Sequence, residues 1–366
     1  MSIQTLFAPL RLGALQLPHR IIMAPLTRMR AGPGGVPTAL NALYYKQRAS
    51  AALVITEGTA ISQQGQGYPG APGAFTTEQL AGWRTITDAI HGCGGRIVLQ
   101  LAHNGRNSHS TYMSDGSVPV APSAIPPSGK AFTPAFQQVD YETPRPLETA
   151  EIPGIVASFR LAARNAMEAG FDGVEVQGAN GHLLDQFLQD GTNKRTDIYG
   201  GSIANRSRFL LEVVEAISGE IGADRLGVRL APHNNFAGIS ESNPKELFGF
   251  VIRKLSERRI AYLHLIEARA SEIGLSEGIN ADAVNNARLF RPIFDGPLIS
   301  AGAYTPDSAS TAIEEGHADA VAFGRMFLAN PDLTERIRKH ATFNIADRAT
   351  FYGGAAHGYT DYPALS

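Results

Sequence analysis

The chain has 366 residues, of which 43% are hydrophobic and 18% charged, a composition that favours a folded globular protein over a disordered one. Lysine plus arginine number 32 and aspartate plus glutamate 34, so the formal net charge of -2 argues against nucleic acid or an anionic membrane as the main partner. Cys93 is the single cysteine, which excludes an intrachain disulfide and a cysteine-based metal cluster. No apolar run reaches the roughly 18 residues of a membrane span and no secretory leader is visible, so we expect a cytoplasmic protein.

Eight short apolar runs recur along the chain, and stretches of helical pattern separate them. Each run is rich in Val, Ile or Leu and is largely apolar on both faces, which is typical of strands buried in a parallel sheet. The eight predicted strands are residues 20–26, 52–59, 96–103, 173–179, 226–232, 262–268, 297–303 and 318–325. Helices are predicted at residues 158–169, 205–218, 244–258 and 306–315, the last with Thr305 as N-cap and Pro306 at the first helical position.

Eight strands that alternate with helices in one chain predict the α/β class and a single (β/α)8 TIM barrel over residues 1–366. A doubly wound open sheet is the alternative, and it is disfavoured because no G-x-G-x-x-G motif follows the first strand. Residues 104–150 carry seven prolines and form a long insertion after the third strand. Because loops of this length are usually functional or disordered, we expect the insertion to cap the mouth of the barrel.

In a (β/α)8 barrel the chemistry lies at the carboxyl ends of the strands, so the polar residues that close each apolar run are the candidates for the site. They include amides, a hydroxyl, imidazoles and two guanidinium groups, but neither the paired carboxylates of a glycosidase nor a cluster of metal ligands. We therefore expect no metal site. A ring so rich in donors suits a bound anion or a polarised heterocycle. The members of this polar ring are Thr27, Glu57, Gln100, His103, Gln177, Asn180, His182, Arg229 and Arg325.

Two pairs of residues close the last two strands and indicate a phosphate site. Gly302 and Ala303 follow strand seven, and Gly324 and Arg325 follow strand eight. Barrels commonly bind phosphate at this point through backbone N–H groups and a cation, and small residues let the backbone approach the phosphate oxygens. The alternative is that the two glycines only permit tight turns between strand and helix.

Several of the polar candidates also have purely structural interpretations. Arg229 lies inside an apolar run, where it requires either an internal ion pair, with Glu57 as the candidate partner, or the anionic group of a ligand. Gln100 is open to interpretation as a hydrogen-bonded core amide. His182 is open to interpretation as a loop histidine, and Asn180 as part of an Asn-Gly turn.

The longest distinctive segments include LFAPLRLG and MAPLTRMR near the start, LQLAHNGRNSHS and GTNKRTDIYGGSIANRSRFLLEVVEAI in the middle, and AFGRMFLANPDL and FYGGAAHGYTDYP toward the end. With them the sequence resembles the Old Yellow Enzyme family of flavin-dependent ene-reductases over nearly its whole length. The resemblance implies an FMN-containing (β/α)8 barrel. It also implies hydride transfer from NADPH or NADH to the activated C=C bond of an α,β-unsaturated carbonyl or nitro compound. The sequence shows no clear seam on the outer helices, and either a monomer or a homodimer is expected.

The same resemblance assigns roles to residues at matching positions. The flavin ring would contact Pro25, Leu26, Thr27, Gly58, Gln100 and Arg229, of which Arg229 would lie beside the part that becomes negative on reduction. The phosphate would be held by Gly302, Ala303, Gly324 and Arg325. Tyr68 and Tyr352 match positions that shape the substrate pocket.

Three positions depart from the pattern of the family. The strand-four motif usually reads His-x-x-Asn-x-Tyr or His-x-x-His-x-Tyr, whereas here it has Gln177, Asn180 and His182. Gln177 and Asn180 would still donate hydrogen bonds to a substrate oxygen, and either His182 or water would protonate the substrate carbon. A tryptophan often found two residues after Gln100 is replaced by Ala102, which is expected to widen the pocket.

These departures leave two further functions open besides ene-reduction. One is a specialised pathway flavoenzyme that isomerises or desaturates a bulky substrate, because a changed proton donor is compatible with such a reaction. The other is a flavin-binding protein without efficient catalysis, because Gln177 cannot carry the positive charge of an imidazolium.

Overall fold

The computed structural model describes residues 3–270, 279–280 and 282–365, and its centre is a closed barrel of eight parallel strands. The strands are β1 (Ile21–Met23), β2 (Leu53–Ile55), β3 (Ile97–Ala102), β4 (Gly173–Gly178), β5 (Leu226–Leu230), β6 (Tyr262–Ile266), β7 (Leu298–Ala301) and β8 (Ala320–Phe323). Each pairs with its neighbours in chain order, and β8 pairs with β1. Closure confirms the predicted (β/α)8 barrel and excludes the open sheet.

Every residue of these eight strands is buried, which is why their sequences are apolar on both faces. One face packs against the outer helices and the other fills the barrel interior. The strand register places Gln177 opposite Arg229, and Arg229 opposite His264. Three polar side chains from adjacent strands are thereby brought to one level of the barrel.

Helices lie between the strands and end close to the positions that the sequence predicts. They are α1 (Ala39–Gln47), α2 (Thr77–His91), α3 (Ile152–Glu168), α4 (Leu183–Leu188), α5 (Ile203–Ile221), α6 (Pro244–Glu257), α7 (Asn286–Phe290), α8 (Pro306–Glu314), α9 (Arg325–Ala329) and α10 (Leu333–Arg338). At α8 the Thr305 hydroxyl accepts a hydrogen bond from the backbone N–H of Ser308 at 3.2 Å, which confirms the predicted N-cap. The helix α3 begins six residues earlier than predicted, because Pro153 is tolerated in a first turn.

Three short strand pairs lie outside the barrel. An antiparallel pair, Leu10–Leu12 with Leu15–Leu17, lies at the amino-terminal end of the chain. The insertion after β3 contains an antiparallel hairpin, Lys130–Phe132 with Gln138–Asp140, and a parallel pair, Val120–Ala121 with Arg145–Pro146. The pair Thr59–Ala60 extends the barrel beside β3. Within the described residues, none of the helices has both the length and the apolar character needed to cross a bilayer.

Candidate active site

A cavity of about 370 Å³ opens at the carboxyl ends of the barrel strands. Its lining includes the predicted site residues except Glu57, Gly58, Ala102 and His103. Those that line it are Pro25, Leu26, Thr27, Tyr68, Gln100, Gln177, Asn180, His182, Arg229, Gly302, Ala303, Gly324, Arg325 and Tyr352. Residues separated by more than 300 positions in the chain therefore meet around one space, as parallel strands of a barrel require.

Arg229 rises from β5 into the floor of the cavity and is only 7% exposed. Burial lowers the pKa of its guanidinium to about 10, partly offset by Glu175, so Arg229 remains charged at neutral pH. Burial opposes ionisation of Glu175, but His264 and Arg229 together hold the pKa of its carboxyl below the ordinary value. Glu175 accepts a hydrogen bond from His264 Nδ1 at 2.9 Å and another from Gln100 Nε2 at 2.7 Å. Glu175 thus compensates the charge of Arg229.

Glu57, the candidate ion-pair partner of Arg229 in the sequence, does not pair with it, so that prediction is wrong. The Glu57 carboxylate instead accepts a hydrogen bond at 3.0 Å from the backbone N–H of Arg28. Burial raises its pKa to about 7, against the opposing effect of that hydrogen bond and of the Arg28 charge. Glu57 therefore stabilises the turn that follows β1, and the electrostatic partner of Arg229 is Glu175, which sequence reasoning missed.

Among the described residues that line the cavity, three buried polar atoms have no hydrogen-bond partner. They are Nε of Arg229, Oε1 of Gln177 and Oδ1 of Asn180. Because a buried polar group without a partner costs about 1–3 kcal/mol, such atoms usually face a ligand. Asn180 also adopts a left-handed backbone conformation (φ 56°), which is sparsely populated for a residue with a side chain. A polar heterocycle in the cavity, with an acceptor and donors at its edge, fits these three atoms.

His182 lies immediately before α4, and its imidazole is half-buried at the cavity. Its Nδ1 lies 3.1 Å from the carbonyl oxygen of Ala179. Because a carbonyl oxygen only accepts, Nδ1 carries the ring proton and Nε2 presents a lone pair. Burial lowers the pKa of His182 to about 4; the Ala179 carbonyl raises it and the positive charge of Arg229 lowers it further. His182 is therefore neutral at pH 7 and suited to accept a hydrogen bond.

The opposite end of the cavity is built from the ends of β7 and β8. Gly302 has φ 120°, a conformation that favours glycine, and an added Cβ would lie 3.2 Å from the Cβ atoms of both Glu267 and Ala270. Gly324 is the residue before α9, and Arg325 is the first residue of that helix. Exposed backbone, a glycine and a cation thus converge here, and these groups suit a phosphate.

The structure also brings to the cavity a set of residues that the sequence analysis did not select. They include Met29, Lys130, Phe132, Tyr141, Phe236, Tyr304 and Phe351. Three of them, Lys130, Phe132 and Tyr141, come from the insertion after β3. Their selection would require knowledge of how the insertion folds over the barrel, for which the sequence carries no local pattern. Glu175, by contrast, could have been identified from the sequence, because it is a glutamate inside the apolar run of β4.

Gly58 and Ala102 lie together just outside the cavity lining. A Cβ added to Gly58 would be 3.5 Å from Gln100 Oε1 and 3.6 Å from the Cβ of Ala102. Ala102 is 2% exposed, so a larger side chain at this position would have to displace its neighbours. That Ala102 widens the substrate pocket remains a prediction.

The chain resembles known proteins along almost its full length. The model of the NADH:flavin oxidoreductase / NADH oxidase family matches residues 5–344. A putative 12-oxophytodienoate reductase 3 of Oryza sativa subsp. japonica is 43% identical over 363 residues, which cover 98% of this chain and 92% of the relative.

Solved structures show the same similarity. Morphinone reductase in complex with tetrahydroNAD is 48% identical and superposes with a TM-score of 0.92 over 99% of this chain and 98% of the other. The old yellow enzyme homologue from Zymomonas mobilis is 41% identical, with a TM-score of 0.94 over 99% of this chain and all of the other. Both fold and sequence are therefore shared with proteins of one family.

Proposed function

The chain belongs to the NADH:flavin oxidoreductase / NADH oxidase family, and from this premise we propose that it is an FMN-dependent ene-reductase. Its substrates would be small α,β-unsaturated carbonyl or nitro compounds, and NADPH or NADH would be the hydride donor. The observation that carries the proposal is the cavity itself. It joins a phosphate-type end at Gly302 and Arg325 to unpartnered polar atoms of Gln177, Asn180 and Arg229.

Bound FMN would supply the redox chemistry, taking hydride from the nicotinamide and passing it to the β-carbon of the alkene. Pro25, Leu26 and Thr27 would contact its ring, and Gly302, Ala303, Gly324 and Arg325 its phosphate. The Arg229 guanidinium is charged in a buried site where its charge is weakly screened, and it would supply that positive charge to the ring. Such a charge stabilises an electron-rich ligand.

Gln177 and Asn180 would hold the oxygen of the substrate. In the described part of the chain, the buried side-chain oxygens of both residues have no protein partner, so both amide groups remain available to a ligand. Donors aimed at an oxygen on which negative charge develops lower a barrier by about 2.7–4 kcal/mol each. The two amides would therefore orient the alkene and polarise it, without the added charge that an imidazolium would provide.

His182 would contribute a neutral hydrogen-bond acceptor rather than a proton. Its Nδ1 proton is directed at the Ala179 carbonyl, and burial keeps the pKa of the ring about three pH units below neutrality. We therefore infer that water, entering through the open side of the cavity, protonates the α-carbon.

The test uses the purified holoenzyme under anaerobic conditions. NADPH or NADH should bleach the flavin absorbance, and 2-cyclohexenone should restore it while its own mass increases by two hydrogens. The variant Gln177→Leu should slow reoxidation by about a hundredfold, since one oxyanion-type donor is removed, and leave reduction by NADPH nearly unchanged. A protein that binds no flavin, or whose reduced flavin persists in the presence of every enone and nitroalkene offered, would overturn the proposal.

Isomerisation or desaturation of a bulky substrate is the alternative that the altered strand-four residues motivate. A histidine with a pKa of about 4 is a weak base, so the geometry of His182 does not favour proton abstraction. The product mass separates the reactions, because it is unchanged after isomerisation, lower by two hydrogens after desaturation and higher by two after reduction. A flavin-binding protein without catalysis would show none of these products.

We further propose that residues 1–366 act as one FMN-binding unit, supported by the pairing of β1 with β8 from the two ends of the chain. A cap made by the insertion after β3 is supported by the presence of Lys130 and Phe132 in the cavity lining. A cytoplasmic location and a monomeric or homodimeric state complete the proposal, and size-exclusion chromatography tests the second.

A further inference from the structure

We propose that Arg28 and Arg30 are positioning residues, which fix the C-terminal tail (residues 348–361) so that Phe351 and Tyr352 form one wall of the substrate site. The inference rests on the proposed function, because it concerns the same cavity. Phe351 and Tyr352 both line that cavity, Phe351 at 7% exposure and Tyr352 at 40%. What places them there is a set of contacts with Arg28 and Arg30, neither of which lines the cavity.

The Arg28 side chain is completely buried beneath the tail. Its Nε donates a hydrogen bond to the Phe351 carbonyl oxygen at 2.9 Å, and its Nη2 donates to the Gly358 carbonyl oxygen at 2.7 Å. In return the Arg28 carbonyl oxygen accepts a hydrogen bond from the backbone N–H of Gly353 at 3.0 Å. Arg28 thus binds the backbone on both sides of Tyr352.

Arg30 repeats this arrangement two residues later. Its Nη2 donates to the Thr350 carbonyl oxygen at 2.8 Å, and its Nε donates to the Ala355 carbonyl oxygen at 3.1 Å. Its Nη2 also lies 3.2 Å from the carbonyl oxygen of His357. The planar guanidinium, with five donors in fixed directions, can hold several carbonyl groups at once, which the single ammonium of a lysine cannot do in the same geometry.

An aromatic stack anchors the far end of the tail. Tyr359 is fully buried, and its ring lies parallel to that of Tyr44 with the centroids 4.1 Å apart. The Arg30 guanidinium lies 4.6 Å from the centroid of Tyr359, and that of Arg28 lies 5.1 Å from it. Asn41 from α1 donates a hydrogen bond to the Tyr359 hydroxyl at 3.0 Å. The same two arginines therefore contact both the tail backbone and its anchor.

The tail depends on these contacts because its own local structure is weak. Residues 351–361 form no helix or strand, and Gly353, Gly354 and Gly358 all have positive φ values. A segment of this composition has high conformational freedom, so its position must be imposed from outside. The guanidinium groups of Arg28 and Arg30 fix the part of the tail next to Tyr352, while Arg48 and Gln47 donate hydrogen bonds to the carbonyl oxygens of Tyr359 and Thr360 beyond it.

The arginines also connect the tail to the predicted flavin-contacting segment. They follow Pro25, Leu26 and Thr27 directly in sequence, and Met29 between them lines the cavity with φ 56°. The left-handed turn at Met29 directs both flanking side chains to the tail while the preceding residues face the cavity. One turn of the chain thereby sets the distance between the flavin segment and the wall made by Tyr352.

The experiment compares Arg30→Gln and the milder Arg30→Lys with the matched control Arg164→Gln, which removes an exposed arginine on the outer face of α3. In the FMN-loaded protein we expect Arg30→Gln to raise KM for 2-cyclohexenone by about tenfold, a factor typical of lost positioning contacts. Arg30→Lys should give an intermediate rise. Flavin content and the rate of flavin reduction by NADPH should stay within about twofold of the parent, because the phosphate end is untouched. Hydrogen exchange should quicken at residues 351–358.

A double-mutant cycle with Tyr352→Ala distinguishes positioning from general destabilisation. If Arg30 acts through the wall, Arg30→Gln should change KM by less than about twofold once Tyr352 has been truncated. An equal rise of KM in both backgrounds, or faster exchange in the tail with unchanged KM, would overturn the inference. Failure of the proposed function is distinguishable, because the parent protein itself would then reduce no enone.

Discussion

Replacement of His182 by phenylalanine tests the source of the proton most directly. In the structure the Nδ1 proton of His182 is directed at the Ala179 carbonyl oxygen, 3.1 Å away, and burial lowers the pKa of the ring to about 4. At pH 7 only about one molecule in a thousand would carry an imidazolium at this position. If His182 were the acid, the rate of protonation would fall about tenfold for each pH unit above the pKa. If water is the proton source, no such decline is expected.

The assay is stopped-flow reoxidation of the reduced holoenzyme by 2-cyclohexenone at several pH values between 6 and 9. We expect the parent protein and His182→Phe to reoxidise at rates within about threefold of each other, with flat profiles for both. Gln177→Leu is the sensitivity control, since loss of a donor to the substrate oxygen must slow the same step. A parent rate that falls tenfold per pH unit, together with a profile made flat by His182→Phe, would refute the reasoning and make His182 the acid.

Three other predictions follow from the same geometry. Arg229→Met should lower the free energy of unfolding, measured by urea titration, by about 3–5 kcal/mol, because Glu175 would be left buried without its compensating charge. Adding Glu175→Gln to the Arg229→Met chain should recover part of this loss. The contribution of His182 to stability should be lost as the pH falls from about 6.5 toward 4, because burial depresses its pKa to about 4 and the unfolded chain binds a proton there that the folded chain does not. At pH 5 this loss is about 2 kcal/mol, so the free energy of unfolding of the parent minus that of His182→Gln, both from urea titrations, should fall by about that amount between pH 7 and pH 5. Gly302→Ala should raise the Kd for FMN by about tenfold, because the added Cβ strains the backbone at the phosphate end of the cavity. The Kd for riboflavin, which lacks the phosphate, should change much less. Equal effects on both ligands would show that Gly302 does not belong to the phosphate site.

The sequence by itself determined the barrel and most of the lining of its cavity. Strands buried on both faces must be apolar throughout, so the eight runs identify themselves without knowledge of their neighbours. The cap at Thr305 depends on a contact with Ser308, three residues away, which local sequence specifies. Because a parallel barrel brings all strand ends to one face, residues such as Gln100 and Arg325 could be placed together before any distance was known.

The tertiary structure alone decided which of these groups are partners. Glu57 and Glu175 both lie at buried strands, and only the orientation of each side chain assigns Glu175 to Arg229 and Glu57 to the backbone of Arg28. The tail that reaches Arg28 is more than 300 residues away in sequence, as the bond to Phe351 shows. Contacts of this kind depend on how distant segments pack, and no local propensity or spacing encodes them. The burial that keeps His182 neutral belongs to the same class, since it depends on the segments that pack around the turn between β4 and α4.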